Sequence, residues 1–232
     1  MEDRGHPGAA AGQEVALPIT YVEASALALF TTVGTQQAAE TVQRHGLRPL
    51  TFRGRTLASV VVFDYRRTSI GPYRELALNV GVIGNGRIGA WVDQLPVTTQ
   101  VSCDAGRRFW GFPKWVTSID WRQDERSIRA QIGAELAVEA RRSWLPALRL
   151  PLSFTTFTAI DGRLVRTRVR ARGRVHVVPR SCARLQLVAS SRLAARVKAL
   201  DFNPEPMFAL WIEDFRSELP EGQFVALARP EG

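Results

Sequence analysis

From Arg166 to Val175 the chain alternates arginine with small or apolar residues: Arg166, Arg168, Arg170, Arg172 and Arg174 interleave with Thr167, Val169, Ala171, Gly173 and Val175. A period of two belongs to the β-strand, whose successive side chains point to opposite faces. All five arginines therefore share one face, and the small residues share the other. The arginine face must meet water or a polyanion, and the second face must be packed. A basic ribbon for nucleic acid calls for aromatic platforms or a recognition motif as well, and neither is interleaved here. The stripe is read as the solvent face of a barrel strand or as a face between subunits, and nucleic acid is not an expected partner.

The rest of the chain repeats the strand signal. Val15 to Val33 reads as paired extended segments. Thr56 to Tyr65 holds the run Val60-Val61-Val62-Phe63, and Arg74 to Ile83 is closed by the turn Gly84-Asn85-Gly86. Val116 to Trp121 and Ser127 to Gly133 form an expected hairpin around Gln123-Asp124-Glu125. Leu136 to Arg142 and Leu152 to Ile160 follow, with Pro146 and Pro151 marking a loop between them and Asp161-Gly162 a tight turn. Helix is expected over Gln36 to His45, stopped by Gly46, over Val97 to Arg108, and in a basic amphipathic piece ending at Leu200. Residues 1–14, rich in Gly, Ala and charge, are expected to be a disordered tail, and residues 15–232 a single domain. Many short strands with few helices predict a mainly β (α+β) barrel or curved sheet.

Composition excludes several classes. The chain has 232 residues and a net charge of +9. Two distant cysteines, Cys103 and Cys182, suggest no disulfide framework. His6, His45 and His176 lack metal-ligand spacing, so no metal is expected. The apolar stretch Val15 to Val33 is interrupted by Pro18 and Glu23, so no membrane span is expected. Met1-Glu2-Asp3-Arg4 lacks the positive n-region of a signal peptide, so no targeting segment is expected and the expected location is cytoplasmic. Gly81 to Gly89 is glycine-rich but lacks the helix start of a dinucleotide site.

Of 31 basic residues only Lys114 and Lys198 are lysine, and Lys114 stands in Trp110-Gly111-Phe112-Pro113-Lys114-Trp115. Arginine stays charged at every usable pH, whereas a lysine can become a neutral amine and attack a carbonyl. A free lysine titrates near 10.4, so about one in a few thousand is neutral at pH 7. Burial lowers such a group by roughly 3–5 units. Trp110, Phe112 and Trp115 can supply that burial. Pro113 holds Phe112 extended and helps to aim the lysine.

Three blocks carry a resemblance to the acetoacetate decarboxylase family: Ser69-Ile70-Gly71-Pro72-Tyr73-Arg74-Glu75, Gly106-Arg107-Arg108-Phe109-Trp110-Gly111-Phe112-Pro113-Lys114, and Ala183-Arg184-Leu185-Gln186-Leu187. They resemble that family's glycine–tyrosine–x–glutamate, glycine–arginine–x₆–proline–lysine and arginine–leucine–x–leucine segments in order and spacing, over roughly residues 20 to 220. The resemblance implies an antiparallel β-barrel or cone with a few short helices. It implies a lyase in which a lysine forms a Schiff base with a keto acid or ketone and carbon dioxide leaves through an enamine. It makes Lys114 the nucleophile and Glu75 the pocket carboxylate. Tyr73, Arg107, Trp110, Phe112 and Trp115 become candidate substrate-binding residues. No cofactor is implied, since the lysine itself is the electron sink. The partners implied are a small-molecule carbonyl substrate and further copies of the chain.

The chain departs from the family pattern at four places. Trp115 replaces a second lysine. Acetoacetate decarboxylase is itself the standard example of a lysine activated by a neighbouring cation, so here burial alone must favour the neutral amine. Arg108 stands where the family has an acid. Val60 falls at or near a second pocket glutamate, and Glu23 or Ala24 stands where the family carries a substrate-site arginine. These changes favour a larger, more apolar carbonyl substrate. They keep open aldol, retro-aldol or dehydration chemistry, and also a non-catalytic ligand-binding barrel.

Overall fold

The arginine stripe lies in the longest strand of the molecule, Arg163–Pro179. Its arginines from Arg168 to Arg174 are exposed, while Thr167, Val169, Ala171 and Val175 are buried. The computed structural model describes residues 9–10, 13–187 and 191–226. Residues 1–8 and 11–12 of the expected tail lie outside the described residues, whereas Ala9–Ala10 and Gln13–Glu14 pair as a short antiparallel ribbon.

Among the described residues, twelve strands are longer than two residues: β1 Ile19–Gly34, β2 Arg55–Thr68, β3 Tyr73–Gly84, β4 Arg87–Val97, β5 Lys114–Val116, β6 Ile119–Gln123, β7 Ser127–Ile132, β8 Leu136–Arg141, β9 Leu148–Ile160, β10 Arg163–Pro179, β11 Ala183–Leu187 and β12 Phe208–Leu219. The helices are α1 Thr35–Val42, α2 Gln100–Trp110 and α3 Arg192–Ala199. Seven strands close a barrel in the order β3-β2-β1-β12-β10-β9-β4, with β4 pairing back to β3. Every seam is antiparallel except β9 with β4, which is parallel and short, joining Thr156 to Ala90 and Phe157 to Trp91. β5 extends β4 in parallel, and β6, β7, β8 and β11 form a separate antiparallel sheet.

Alternation along the barrel strands feeds two cores. Inward residues such as Ala26, Tyr65, Ala77, Leu95, Val169 and Phe215 pack inside the barrel. Outward residues such as Leu27, Val60, Leu78 and Trp211 pack against Ile128 and Val138 of the second sheet, Val42 of α1 and Leu193 of α3. Strands covered on both faces read as near-continuous apolar runs, which is why β2 carries Val60-Val61-Val62-Phe63. β10 has no cover over its middle, so its outer face is free to be arginine.

Three sequence expectations change. Val15 to Val33 is mostly one 16-residue strand rather than a pair. Pro151 lies inside β9, opposite Arg172, rather than in a loop. It is tolerated because β9 meets β4 only at Thr156 and Phe157, so at Pro151 the other side of the strand is an edge and needs no donor. The helix expected from Val97 starts at Gln100, because Val97 still pairs with Glu75 in the sheet. The turns at Asn85-Gly86 and Asp161-Gly162 have positive φ at both residues, as tight hairpins require.

Candidate functional site

Lys114 opens β5, beside Leu95 of β4. The chain reaches it from α2 through Gly111, which sits at φ 63° and bonds back to Arg107 and Gly106 carbonyls. A side chain at Gly111 would be strained by that φ and would also meet Ile160 at 2.6 Å. The lysine backbone is held at both ends. Its N–H donates to the Phe112 carbonyl at 2.7 Å, and its own carbonyl accepts from Arg107 Nε at 2.7 Å.

The lysine side chain runs inward and is 4% exposed. Its Nζ lies 2.8 Å from Glu75 Oε2 and donates to Ser102 Oγ at 2.9 Å. Glu75, on β3, is 8% exposed. Ser102 and Gly106 lie four residues apart on α2 and so share one face of it. A Cβ on Gly106 would stand 2.6 Å from Lys114 Cε and closer still to Cδ, so glycine provides the channel for the lysine stem. The rings of Tyr73 and Phe112 lie 5.6 and 5.7 Å from Nζ.

All three tyrosines of the chain gather at this end of the barrel. Tyr65 lies 4.4 Å from Tyr21 and 4.8 Å from Tyr73 between ring centroids, and the Tyr21 and Tyr73 hydroxyls are 3.0 Å apart. Burial, then neighbouring charge including Glu75, raises all three phenols above their ordinary range, so they stay protonated at neutral pH.

Lys114 and Glu75 border a cavity of about 340 Å³ inside the barrel, walled by residues such as Ala28, Val61, Phe63, Ala77, Leu210 and Ile212. In an arginine-rich chain, the described lining contains no arginine, and its only charged side chains are Lys114 and Glu75. Phe154, a lining residue at the other end, is 39% exposed, which marks the open mouth.

The expected substrate-binding residues divide. Phe112 lines the cavity, and Tyr73 stacks behind the lysine. Arg107 binds the lysine backbone from outside the cavity. Trp110 is fully buried core, its Nε1 donating to the Pro220 carbonyl at 2.7 Å. Trp115, next to Lys114 in an extended strand, faces the opposite way and packs under the Arg192 guanidinium. Val60 is an outward residue of β2, and the lining positions of that strand are Ser59, Val61, Phe63 and Tyr65, none of them acidic. Glu23 is exposed and paired with Arg66, while Ala24 is packed in the inner core without lining the cavity. Gly106 opens the glycine–arginine segment read in the sequence, but its role beside the lysine stem was not foreseen, and Ser102, Tyr21 and Tyr65 were not expected at the site. A small residue one turn before Gly106 was the available signal for Ser102.

A wider opening of about 880 Å³ lies outside the barrel wall. Two of its acids are already matched: the buried Asp64 lies between Arg66 and Arg74, and the partly buried Glu213 receives Arg142, Arg174 at 2.6 Å and His176 at 2.9 Å. Burial would lift the Glu213 carboxyl, but the His176 hydrogen bond and the two arginine charges outweigh it and hold it below the usual carboxylate range. Among the described residues, no helix is long and apolar enough to cross a membrane.

The family model of acetoacetate decarboxylase (ADC) matches residues 7–144. No curated protein matches the sequence. Among solved structures, acetoacetate decarboxylase from Legionella pneumophila aligns at a TM-score of 0.74 with 15% identity, over 91% of this chain and 88% of that one. The enduracididine biosynthesis enzyme MppR, complexed with the condensation product of pyruvate and imidazole 4-carboxaldehyde, aligns at 0.69 with 13% identity, over 92% of both chains. An acetoacetate decarboxylase-like enzyme from Sphingomonas wittichii RW1 aligns at 0.65 with 13% identity, over 92% of this chain and 95% of that one. At these identities the likeness establishes the fold.

Proposed function

Because the chain belongs to the acetoacetate decarboxylase family, we propose that it is a lyase that binds its carbonyl substrate as a Schiff base on Lys114. The observation that carries this reading is the buried Lys114–Glu75 pair at the closed end of an otherwise uncharged cavity.

In this mechanism Glu75 takes a proton from the Lys114 ammonium, and the neutral amine adds to the substrate carbonyl. The carbinolamine loses water, with the oxygen protonated by Glu75, and leaves an iminium. With a β-keto acid, the bond from the α-carbon to the carboxylate breaks. Its electron pair enters the enamine and carbon dioxide departs. Protonation at carbon, followed by addition of water to the iminium, releases the ketone and restores the amine. The phenols of the tyrosine cluster stay protonated throughout, so Glu75 is the acid that takes and returns the proton.

The absence of a lining arginine favours a second chemistry on the same iminium–enamine pair. Without a fixed cation for a free carboxylate, a carbonyl substrate with an apolar body fits better, and aldol, retro-aldol or dehydration steps need nothing beyond the lysine and the acid. MppR, of the same fold, holds a condensation product of pyruvate and an aldehyde.

The test is reductive trapping. Protein is incubated with β-keto acids, ketones and aldehydes, treated with cyanoborohydride, and mapped by mass. An adduct on Lys114, absent from Lys198 and lost in Lys114→Ala, is expected, and Glu75→Gln should slow its formation. A folded protein that traps no carbonyl, or traps equally at Lys198, would sink the reading.

A further inference from the structure

The cavity has a second polar spot, far from the reacting lysine. Asn79 lies on the same inward face of β3 as Glu75, four residues further along. At about 3.3 Å per residue its Cα is about 13 Å from that of Glu75. Ser59 is directly opposite Asn79 on β2. Asn79 is 8% exposed, and both residues line the cavity. The Asn79 amide donates to Ser59 Oγ at 3.2 Å and has no other side-chain hydrogen bond among the described residues. An amide can make several hydrogen bonds, so most of its capacity is turned to the lumen. Across β4 the Thr156 hydroxyl, also in the wall, finds no protein partner. Between these groups and Glu75 the wall is Ala77, Val61 and Val92. Near the mouth it is Phe30 and Phe154.

We propose that the substrate is an elongated carbonyl compound carrying a neutral hydrogen-bonding group, such as a hydroxyl or amide, which Asn79 and Ser59 recognise while the carbonyl reacts at Lys114. The reading of Lys114 as the Schiff-base residue is its premise. A neutral group is required because neither Asn79 nor its neighbours in the cavity offers a charge to pair with an ionised one. The apolar stretch between the two polar ends demands an apolar linker. Small keto acids would leave Asn79 unmet, and a plain alkyl ketone would bury its amide against hydrocarbon.

The experiment uses methyl ketones of increasing chain length, each with and without a terminal hydroxyl. Binding to the full chain is measured by calorimetry, and adduct on Lys114 is measured in parallel by cyanoborohydride trapping. At one chain length the hydroxyl should tighten binding about tenfold, the range of one buried neutral hydrogen bond. Asn79→Leu should remove that gain while binding the plain ketone at least as well, which also shows that the variant is folded. Ser59→Ala, a smaller change, should reduce the gain. A hydroxyl that gives no gain at any length, or a gain that survives in Asn79→Leu, overturns the proposal. A length-dependent gain without any adduct would instead sink the Lys114 reading and leave the Asn79 recognition standing. Adduct formation with no gain does the reverse, and failure of every ketone to bind overturns both.

Discussion

Two carboxylates, the buried Glu75 inside the barrel wall and the partly buried Glu213 outside it, are neutralised in opposite ways. Glu213, outside, is met by Arg142, Arg174 and His176. Its arginine partners hold their charge at every usable pH, so a proton has little to gain by moving there. Glu75, inside, is met by one lysine at 2.8 Å with a serine hydroxyl behind it. Among the described residues, the other walls of that cavity are uncharged. The outer arrangement is built to stay as it is, and the inner one can exchange a proton with its partner. In a chain that uses arginine almost everywhere, that contrast supports the proposal that the Glu213 cluster serves structure and the Lys114–Glu75 pair serves chemistry.

Exchanging the two kinds of cation breaks the comparison most sharply. Lys114→Arg keeps a positive charge beside Glu75 but removes the amine, and turnover should fall at least about a thousandfold, to the level of Lys114→Ala. The reciprocal Arg174→Lys should leave turnover unchanged. Measured activity in Lys114→Arg above background would mean that charge, not nucleophilicity, is what the site needs.

Gly106→Ala comes next. Alanine suits a helix interior better than glycine by about 1 kcal/mol, so α2 alone would be stabilised. Its Cβ, however, would stand 2.6 Å from Lys114 Cε. The lysine must shift, and a displacement of about 1 Å in a reacting group can cost about a hundredfold in rate. The expected outcome is a melting temperature little changed and a rate lowered by about that factor. Normal kinetics in this variant would show that the lysine stem has freedom the packing does not suggest.

How much of this was legible in the sequence follows from which interactions are local. The arginine alternation, the Asn85-Gly86 and Asp161-Gly162 turns and the helix stop at Gly46 are determined by neighbours in the chain, and all appear where periodicity and turn chemistry place them. Lys114 is marked by the scarcity of lysine and its aromatic flanks, but Glu75 as its partner was reached through motif resemblance, because nothing between residues 75 and 114 encodes their meeting; the barrel brings β3 and β5 to either side of β4. Trp115 was assigned to the pocket because it neighbours the lysine, and strand alternation sends it away. The second pocket position could be placed only at or near Val60, because distance along the chain cannot give parity across β2; Ser59, Val61 and Phe63 face the lumen. Tyr21 and Tyr65 lie on neighbouring strands, β1 and β2, whose pairing and register the local sequence does not give. Pro151 signalled a loop because the sequence does not show that its strand has a free edge.

Glu213→Gln tests the outer half of the comparison. Breaking a fully buried ion pair costs about 3–5 kcal/mol, but Arg142 and Arg174 side chains are 32% and 45% exposed, so solvent screening reduces this to about 1–3 kcal/mol. The pH dependence has a definite sign. The folded Glu213 carboxyl lies below its ordinary value, so its stabilisation is complete above the unfolded carboxyl near pH 4.3 and is lost as pH falls through the folded value. Urea unfolding from pH 7 down to about pH 3 should show the wild type converging on Glu213→Gln at the acid end. A constant gap between the two across that window would show that the carboxylate contributes by packing rather than by charge.

The smallest effect belongs to the arginine stripe, and its sign should be the reverse. Arg172 is exposed on β10 and paired directly opposite Arg216 of β12. Like charges facing each other across an antiparallel pair destabilise it by a fraction of 1 kcal/mol, roughly 0.2–1. Arg172→Gln should therefore raise stability by about a few tenths of a kcal/mol at low salt. The gain should vanish near 1 M salt, where the screening length is about 3 Å. Arg170 faces Glu218 instead, so Arg170→Gln should lower stability slightly under the same conditions. The pair of variants separates register-specific electrostatics from a general effect of net charge, which would move both in one direction. If Arg172→Gln lowers stability at either salt concentration, the stripe holds the barrel wall together. The division between a fixed outer charge layer that serves the fold and an inner pair that serves chemistry would then have to be redrawn, with the exposed arginines counted among the groups the fold requires.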